Sequence, residues 1–235
     1  MSKVVIFSGA GLSASSGIST FREADGLWEN HKIEEVCQAG CLDTYRDKSV
    51  NFYNMRRAEL QDKKPNLAHE VLSRLEKEYP NEVTLITQNV DNLLEQAGAK
   101  NVLHLHGFLT QIRCMECEEV YDIGYMPQDE AMSECPKCGG ALRPNIVFFG
   151  EAAPKYQDMH EILSGCELLV IIGTSGAVID VNMLRQYADY AILNNLEKSE
   201  YIVEEIFDTI YYDEAPNVIK QIEEQIVQYI DKGLL

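Results

Sequence analysis

The sequence predicts an α/β protein, a parallel and doubly wound sheet broken by two insertions. Three observations predict it. Short apolar runs recur along the chain, and each long one is followed by a polar or glycine-rich cluster. Helical patterns lie between those runs, as the crossovers of a parallel sheet require. Two stretches interrupt the alternation: 33–77 is mainly helical, and 113–142 holds two close cysteine pairs.

Val4-Val5-Ile6-Phe7 opens the sheet as a short, continuous, partly β-branched run that stops at Gly9-Ala10-Gly11. Asn66 can cap a helix through Leu67, Val71, Leu72 and Leu75, which Pro80 ends. Val83–Thr87 is the second buried run. Asp91–Ala97 fits a short helix with Gly98 as its stop. Val102–His106 alternates and meets Gly107; Leu168–Ile172 meets Gly173. Tyr190–Leu193 and Thr209–Tyr212 read as two more strands. Asn217–Asp231 carries Val218, Ile219, Ile222, Ile226 and Ile230 on one helical face. Parallel sheets bind ligands at the carboxyl ends of their strands. Gly9–Ser13, Thr87–Asp91, His106-Gly107 and Gly173–Ser175 all fall there, so the spacing points to one site built from several loops.

The chain has 235 residues, 46% hydrophobic and 25% charged, which excludes disorder as its main state. Its net charge of −18 leaves no basic face for displacing counterions from phosphates or for anionic lipid. Direct nucleic-acid binding and membrane association are therefore not expected. No apolar run reaches about 18 residues, and the first run is too short for a secretory signal. The expectation is a cytoplasmic protein, with a monomer as the default.

Cys114-Met115-Glu116-Cys117 and Cys135-Pro136-Lys137-Cys138 are two CxxC knuckles separated by 17 residues. That spacing suits tetrahedral zinc, and four thiolates leave no open position for water. Cys114, Cys117, Cys135 and Cys138 are thus the expected ligands of one structural Zn2+. Cys37, Cys41 and Cys166 read as ordinary semi-buried residues. Gly9–Gly17 follows a strand and precedes a probable helix, which suits a pyrophosphate. It is neither a strict GxGxxG, since the third glycine is displaced to Gly17, nor a Walker A loop, since no Lys-Ser/Thr follows.

The motifs occur in a specific order. Gly9-Ala10-Gly11-Leu12-Ser13 precedes Ser16-Gly17-Ile18, Phe21-Arg22 and Gly26-Leu27-Trp28. Thr87-Gln88-Asn89-Val90-Asp91 and Leu105-His106-Gly107 follow. The knuckles, Arg143-Pro144, Val147-Phe148-Phe149-Gly150-Glu151 and Gly173-Thr174-Ser175 close the set. In this order the chain resembles the sirtuins, the NAD-dependent protein lysine deacylases, over essentially its whole length.

The resemblance implies a Rossmann-type NAD-binding domain from 1–32, 78–112 and 143–235. The helical insertion 33–77 and the zinc-ribbon insertion 113–142 would form a small domain. It implies that the acyl oxygen of a modified lysine displaces nicotinamide, and that His106 then deprotonates a ribose hydroxyl, with Asn89 and Asp91 as the other catalytic residues. The implied NAD contacts are Gly9, Ala10, Gly11, Ser13, Ile18, Phe21, Arg22, Trp28, Gln88, Asn89, Val90, Asp91, Gly173, Thr174, Ser175 and Asn195. Acylated-lysine proteins or peptides would pair with Val147, Phe148, Phe149, Gly150 and Glu151 as with a strand. Tyr53-Asn54-Met55-Arg56 resembles the Tyr-x-x-Arg signature of the subgroup that removes succinyl and malonyl groups, with Ala24 leaving room for a larger acyl chain. A carboxylate taken out of water needs such partners. Arg57, about 100° round the helix, is expected in solvent. Two other functions fit less of the pattern: protein ADP-ribosyl transfer, and a non-catalytic module that senses NAD.

Overall fold

The computed structural model describes residues 3–19 and 31–233. Its elements, in chain order, are β1 (Val4–Ser8), α1 (Gly11–Ala14), α2 (Ile33–Val36), α3 (Cys41–Gln61), α4 (Leu67–Glu78) and β2 (Val83–Thr87). Then come α5 (Leu93–Gln96), β3 (Val102–His104), β4 (Gly107–Cys114), β5 (Val120–Asp122), β6 (Leu142–Ile146) and α6 (Tyr156–Leu163). The chain ends with β7 (Leu168–Ile172), α7 (Val181–Arg185), β8 (Tyr190–Asn195), β9 (Thr209–Tyr212) and α8 (Ala215–Lys232).

Six strands form a parallel sheet in the order β3-β2-β1-β7-β8-β9. Strand alternation divides its core into two layers. Val4, Ile6, Leu85, Leu168 and Val170 face α4 and α8, which bring Val71, Leu72, Leu75, Ile219 and Ile222. Val5, Phe7, Ile86, Leu169 and Ile171 face the other way, toward Met159 and Leu163 of α6 and Leu184 of α7. Because both faces are covered, the central strands read as unbroken apolar runs. β1 lies between β2 and β7, so the chain turns to opposite sides of it. That switch point opens a crevice at the carboxyl ends of the strands.

Helix α4 was expected within the helical insertion 33–77, but its apolar residues pack on the large sheet beside α8. The Asn66 cap is as expected. Its Oδ1 accepts from the N–H groups of Ala68 and His69, and His69 Nδ1 accepts from the N–H of Asn66.

The second insertion extends beyond the expected 113–142: an antiparallel sheet, β5-β4-β6, spans Gly107 to Ile146 over a small core of Ile112, Ile123 and Leu142. A separate core joins α2 and α3 to it through Phe52, Tyr53, Leu60, Leu109 and Phe148. Arg57 corrects the expectation of a solvated side chain, because it is wholly buried. Its Nε donates to Met126 O and its Nη1 to Leu109 O, each at 3.2 Å, and its Nη2 donates to Asn54 Oδ1 at 2.6 Å. Asn54 in turn exchanges hydrogen bonds with the backbone of Gln128. The ribbon covers the face of α3 that would otherwise meet water. Among the described residues, no helix is long and apolar enough to cross a membrane.

Candidate active site

The neighbouring strands β1 and β7 bring two glycine turns into backbone contact. Gly11 N–H donates to Gly173 O at 2.8 Å, and Gly9 N–H to Ile172 O at 2.9 Å. Gly173 has φ +65°, and a Cβ there would lie 2.5 Å from Leu12 N. A Cβ on Gly11 would lie 2.7 Å from Gly173 Cα. Side chains are excluded from this floor, so a ligand can approach the main chain. Above it lies a cleft of about 1000 Å³.

Four side chains from three segments meet beside the floor: Ser13 of α1, His69 of α4, and Asn89 and Asp91 of the loop after β2. Ser13 Oγ donates to Asp91 Oδ2 at 2.9 Å and accepts from Asn89 Nδ2 at 3.2 Å. His69 Nε2 lies 3.2 Å from the same hydroxyl. Since His69 Nδ1 accepts from Asn66, the proton of the neutral ring sits on Nε2, which donates to Ser13. Burial lowers His69 to about 4, so the ring is neutral at working pH. Burial also pushes the Asp91 carboxyl above the usual aspartate range, against the pull of the Leu93 N–H and the Ser13 hydroxyl. A buried carboxylate tied in this way presents a fixed negative charge beneath the cleft. His69, read from sequence as unremarkable, is part of the network; its position three residues after the Asn66 cap was the available signal.

His106 lies at the end of the run that follows β2 in the sheet order. Its Nε2 is 3.0 Å from the Tyr156 hydroxyl. Burial holds the imidazole below the usual histidine range. Both His106 and Tyr156 line the cleft. Nothing in the sequence marked Tyr156, whose partner is 50 residues away. On the β7 side, Gln88 Nε2 donates to Thr174 Oγ1 and Asn195 Nδ2 to Thr174 O, each at 2.9 Å. Ser175 O accepts from Ser199 Oγ at 2.6 Å. Gly9, Ala10, Ile18 and Val90 also border the cleft.

Residues 147–151 are not a strand. The Val147 N–H donates to His106 O, and Phe149 pairs its backbone with Cys37 and Ala39. Glu151 is held within its own loop, accepting from Arg143 Nη1 at 2.5 Å and from the Phe148 N–H at 2.9 Å. Arg143 lies over one face of Phe148, 3.9 Å from the ring centre. Tyr53 stacks on Phe148 with ring centres 5.6 Å apart and planes 6° from parallel. Burial raises the Tyr53 hydroxyl well above its ordinary range, so it remains an O–H donor. Arg56 lines the same cleft, 3.5 Å from Glu59. Phe21, Arg22, Ala24 and Trp28 lie outside the described residues.

In the ribbon, the Sγ atoms of Cys114, Cys117, Cys135 and Cys138 all lie within 4.8 Å of one another. Two of the separations are 3.5 and 3.7 Å. Tetrahedral zinc with Zn–S bonds of about 2.3 Å needs sulfurs about 3.8 Å apart. N–H groups of Glu116, Cys117 and Gly140 point at the sulfurs, as thiolates require. The donor set therefore fits a structural Zn2+ with no site left for water.

The chain matches the Sir2 family over residues 9–180. An NAD-dependent protein deacylase of Campylobacter jejuni (strain RM1221) is 44% identical, with 99% of each chain covered. A crystal structure of a Sir2 homologue with NAD is 31% identical at a TM-score of 0.84, covering 97% of this chain and 90% of that one. A Sir2 structure with a deacetylated peptide and 3′-O-acetyl ADP-ribose is 27% identical at a TM-score of 0.74, covering 94% and 92%.

Proposed function

The chain belongs to the Sir2 family, and from that premise we propose that it is an NAD-dependent protein lysine deacylase with a site for succinyl and malonyl groups. One observation carries the reading: Asn89, Asp91 and His106 border the same cleft as Tyr53 and Arg56. The cleft thus joins a nucleotide side to an acyl side. Deacylase relatives and a peptide-bound neighbour support acylated-lysine proteins as substrates.

The residues fit NAD. The floor formed by Gly9, Gly11 and Gly173 has no room for Cβ atoms, which suits a backbone-bound pyrophosphate. Bound NAD supplies a sugar carbon that exchanges nicotinamide for the acyl oxygen. The fixed Asp91 charge, with Asn89, faces the positive charge that develops there. His106 acts as general base through Nε2, and its lowered pKa keeps that nitrogen unprotonated at neutral pH. Phe148 and Tyr53 wall the acyl side with aromatic surface. Arg56 offers paired N–H donors to a terminal carboxylate, and Tyr53 an O–H. The four cysteines would hold zinc away from the chemistry, where it stabilises the ribbon that backs α3.

The test is to incubate the protein with NAD and either succinyl-lysine or acetyl-lysine peptide. Nicotinamide and O-acyl-ADP-ribose are expected from both. Label transferred to protein would instead indicate ADP-ribosylation, and no nicotinamide release would leave only an NAD sensor. Arg56→Met should lower desuccinylation sharply and deacetylation little; equal loss of both would remove the carboxylate site.

A further inference from the structure

We propose that Glu59 sets the acyl selectivity of the cleft: it holds the Arg56 guanidinium when no acyl chain is present and must yield it to the carboxylate of a succinyl or malonyl group. The inference rests on Arg56 being the acyl-carboxylate partner. Tyr53, Arg56 and Glu59 recur every three residues of α3, and they line the cleft with Leu60 and, just beyond the helix, Lys63. The helix therefore presents its own carboxylate beside the cation that is offered to substrate.

Three features make Glu59 a competitor and not a support. Its Oε2 lies 3.5 Å from Arg56 Nη1, an ion pair longer than a hydrogen bond, so it attracts the guanidinium without fixing its orientation. The Glu59 side chain is 47% exposed and that of Arg56 only 20%. Glu59 can turn to water at little desolvation cost, whereas Arg56 stays at the wall. Lys63, just past the helix end, lines the same cleft, so a second cation lies on the side to which the displaced carboxylate can turn.

A dicarboxylic acyl chain brings a second negative charge to the same guanidinium, and one cation cannot neutralise both. Binding it therefore costs the Arg56–Glu59 attraction. A neutral acetyl chain leaves that pair intact. Glu59 thus lowers selectivity for carboxylated acyl groups relative to acetyl, and does so only through Arg56.

The experiment measures kcat/KM for succinyl-lysine and acetyl-lysine peptides with saturating NAD and takes their ratio, which does not depend on the fraction of folded protein. Glu59→Gln should raise the succinyl-to-acetyl ratio on the order of threefold, the size of an exposed ion pair, mostly through a lower KM for the succinyl peptide. In an Arg56→Met background the same change should leave the ratio where Arg56→Met put it. An unchanged or lower ratio in Glu59→Gln, with Arg56→Met still collapsing it, overturns the role of Glu59 and leaves the Arg56 site standing. A ratio unmoved by Arg56→Met itself overturns the Arg56 site and this inference together.

Discussion

The Tyr156 hydroxyl occupies the lone pair of His106 Nε2 at 3.0 Å, the atom and distance that a sugar hydroxyl would need. A base that acts through Nε2 keeps that nitrogen unprotonated, which makes the Tyr156 hydroxyl the donor. A hydrogen bond to the neutral imidazole disfavours its protonated form. Tyr156→Phe keeps the ring and removes that bond, so the His106 pKa should rise. The acid limb of the kcat/KM profile should move to higher pH, with little change in thermal stability. A limb that stays in place would show that the contact has no hold on the base.

Gly173 is required twice, by its φ of +65° and by its 2.5 Å clearance from Leu12 N. An alanine costs about 1–2 kcal/mol for the left-handed backbone alone, and the clash must also push the two turns apart. Gly173→Ala should lower the unfolding free energy by more than that. NAD affinity should fall about tenfold or more, equal to about 1.4 kcal/mol. Calorimetric titration with NAD and urea unfolding read the two effects separately.

Much of this site was legible in the sequence, because its floor and metal ligands are local patterns. A glycine cluster after an apolar run needs no knowledge of distant residues, and neither do two CxxC pairs. Contacts that depend on distant cover were not legible. Helical spacing puts Arg57 off the Tyr53–Arg56 face, but it cannot show that Leu109 of β4 and Met126 of the zinc-ribbon insertion arrive to bury it. Val147–Glu151 has the composition of a strand, yet Phe149 spends its backbone on Cys37 and Ala39, over a hundred residues earlier. The run 33–77 reads as one helical insertion, whereas the apolar stripe of α4 packs against α8 from the far end of the chain.

Adjacent arginines on α3 should behave oppositely. Burial lowers Arg57 only to about 10, so it is charged at neutral pH, and its acceptors Met126 O, Leu109 O and Asn54 Oδ1 are neutral oxygens. Arg57→Met would leave Leu109 O and Met126 O buried without their donor. Destabilisation of about 3 kcal/mol is expected, with loss of amide protection concentrated in 123–128. Arg56→Met, at the cleft wall, should change stability by less than about 0.5 kcal/mol. Equal unfolding midpoints for the two variants would contradict the role given to Arg57.

The buried His69 ring should make the protein acid-labile in a defined window. Its pKa is about 4 in the folded chain and about 6.5 when unfolded. Between those values the unfolded chain holds a proton that the folded chain refuses. The stability contribution is therefore complete above about pH 6.5, is lost as the pH falls toward about 4, and changes no further below that. Its full size is at most about 3 kcal/mol. His106, also lowered by burial, adds loss of the same sign. Asp91, raised by burial, acts in the opposite direction, because protonation relieves its buried charge. His69→Gln separates these contributions. Glutamine suits the third position of a capped helix, can accept from the Asn66 N–H and donate to Ser13, and does not titrate. The difference in urea-unfolding free energy between the two proteins should shrink for the parent as pH falls from 6.5 to 4, while His106 and Asp91 cancel. A difference that is flat across that range would mean the folded ring takes up its proton as readily as the unfolded one, and the acceptor role of its Nδ1 toward the Asn66 N–H would fail with it.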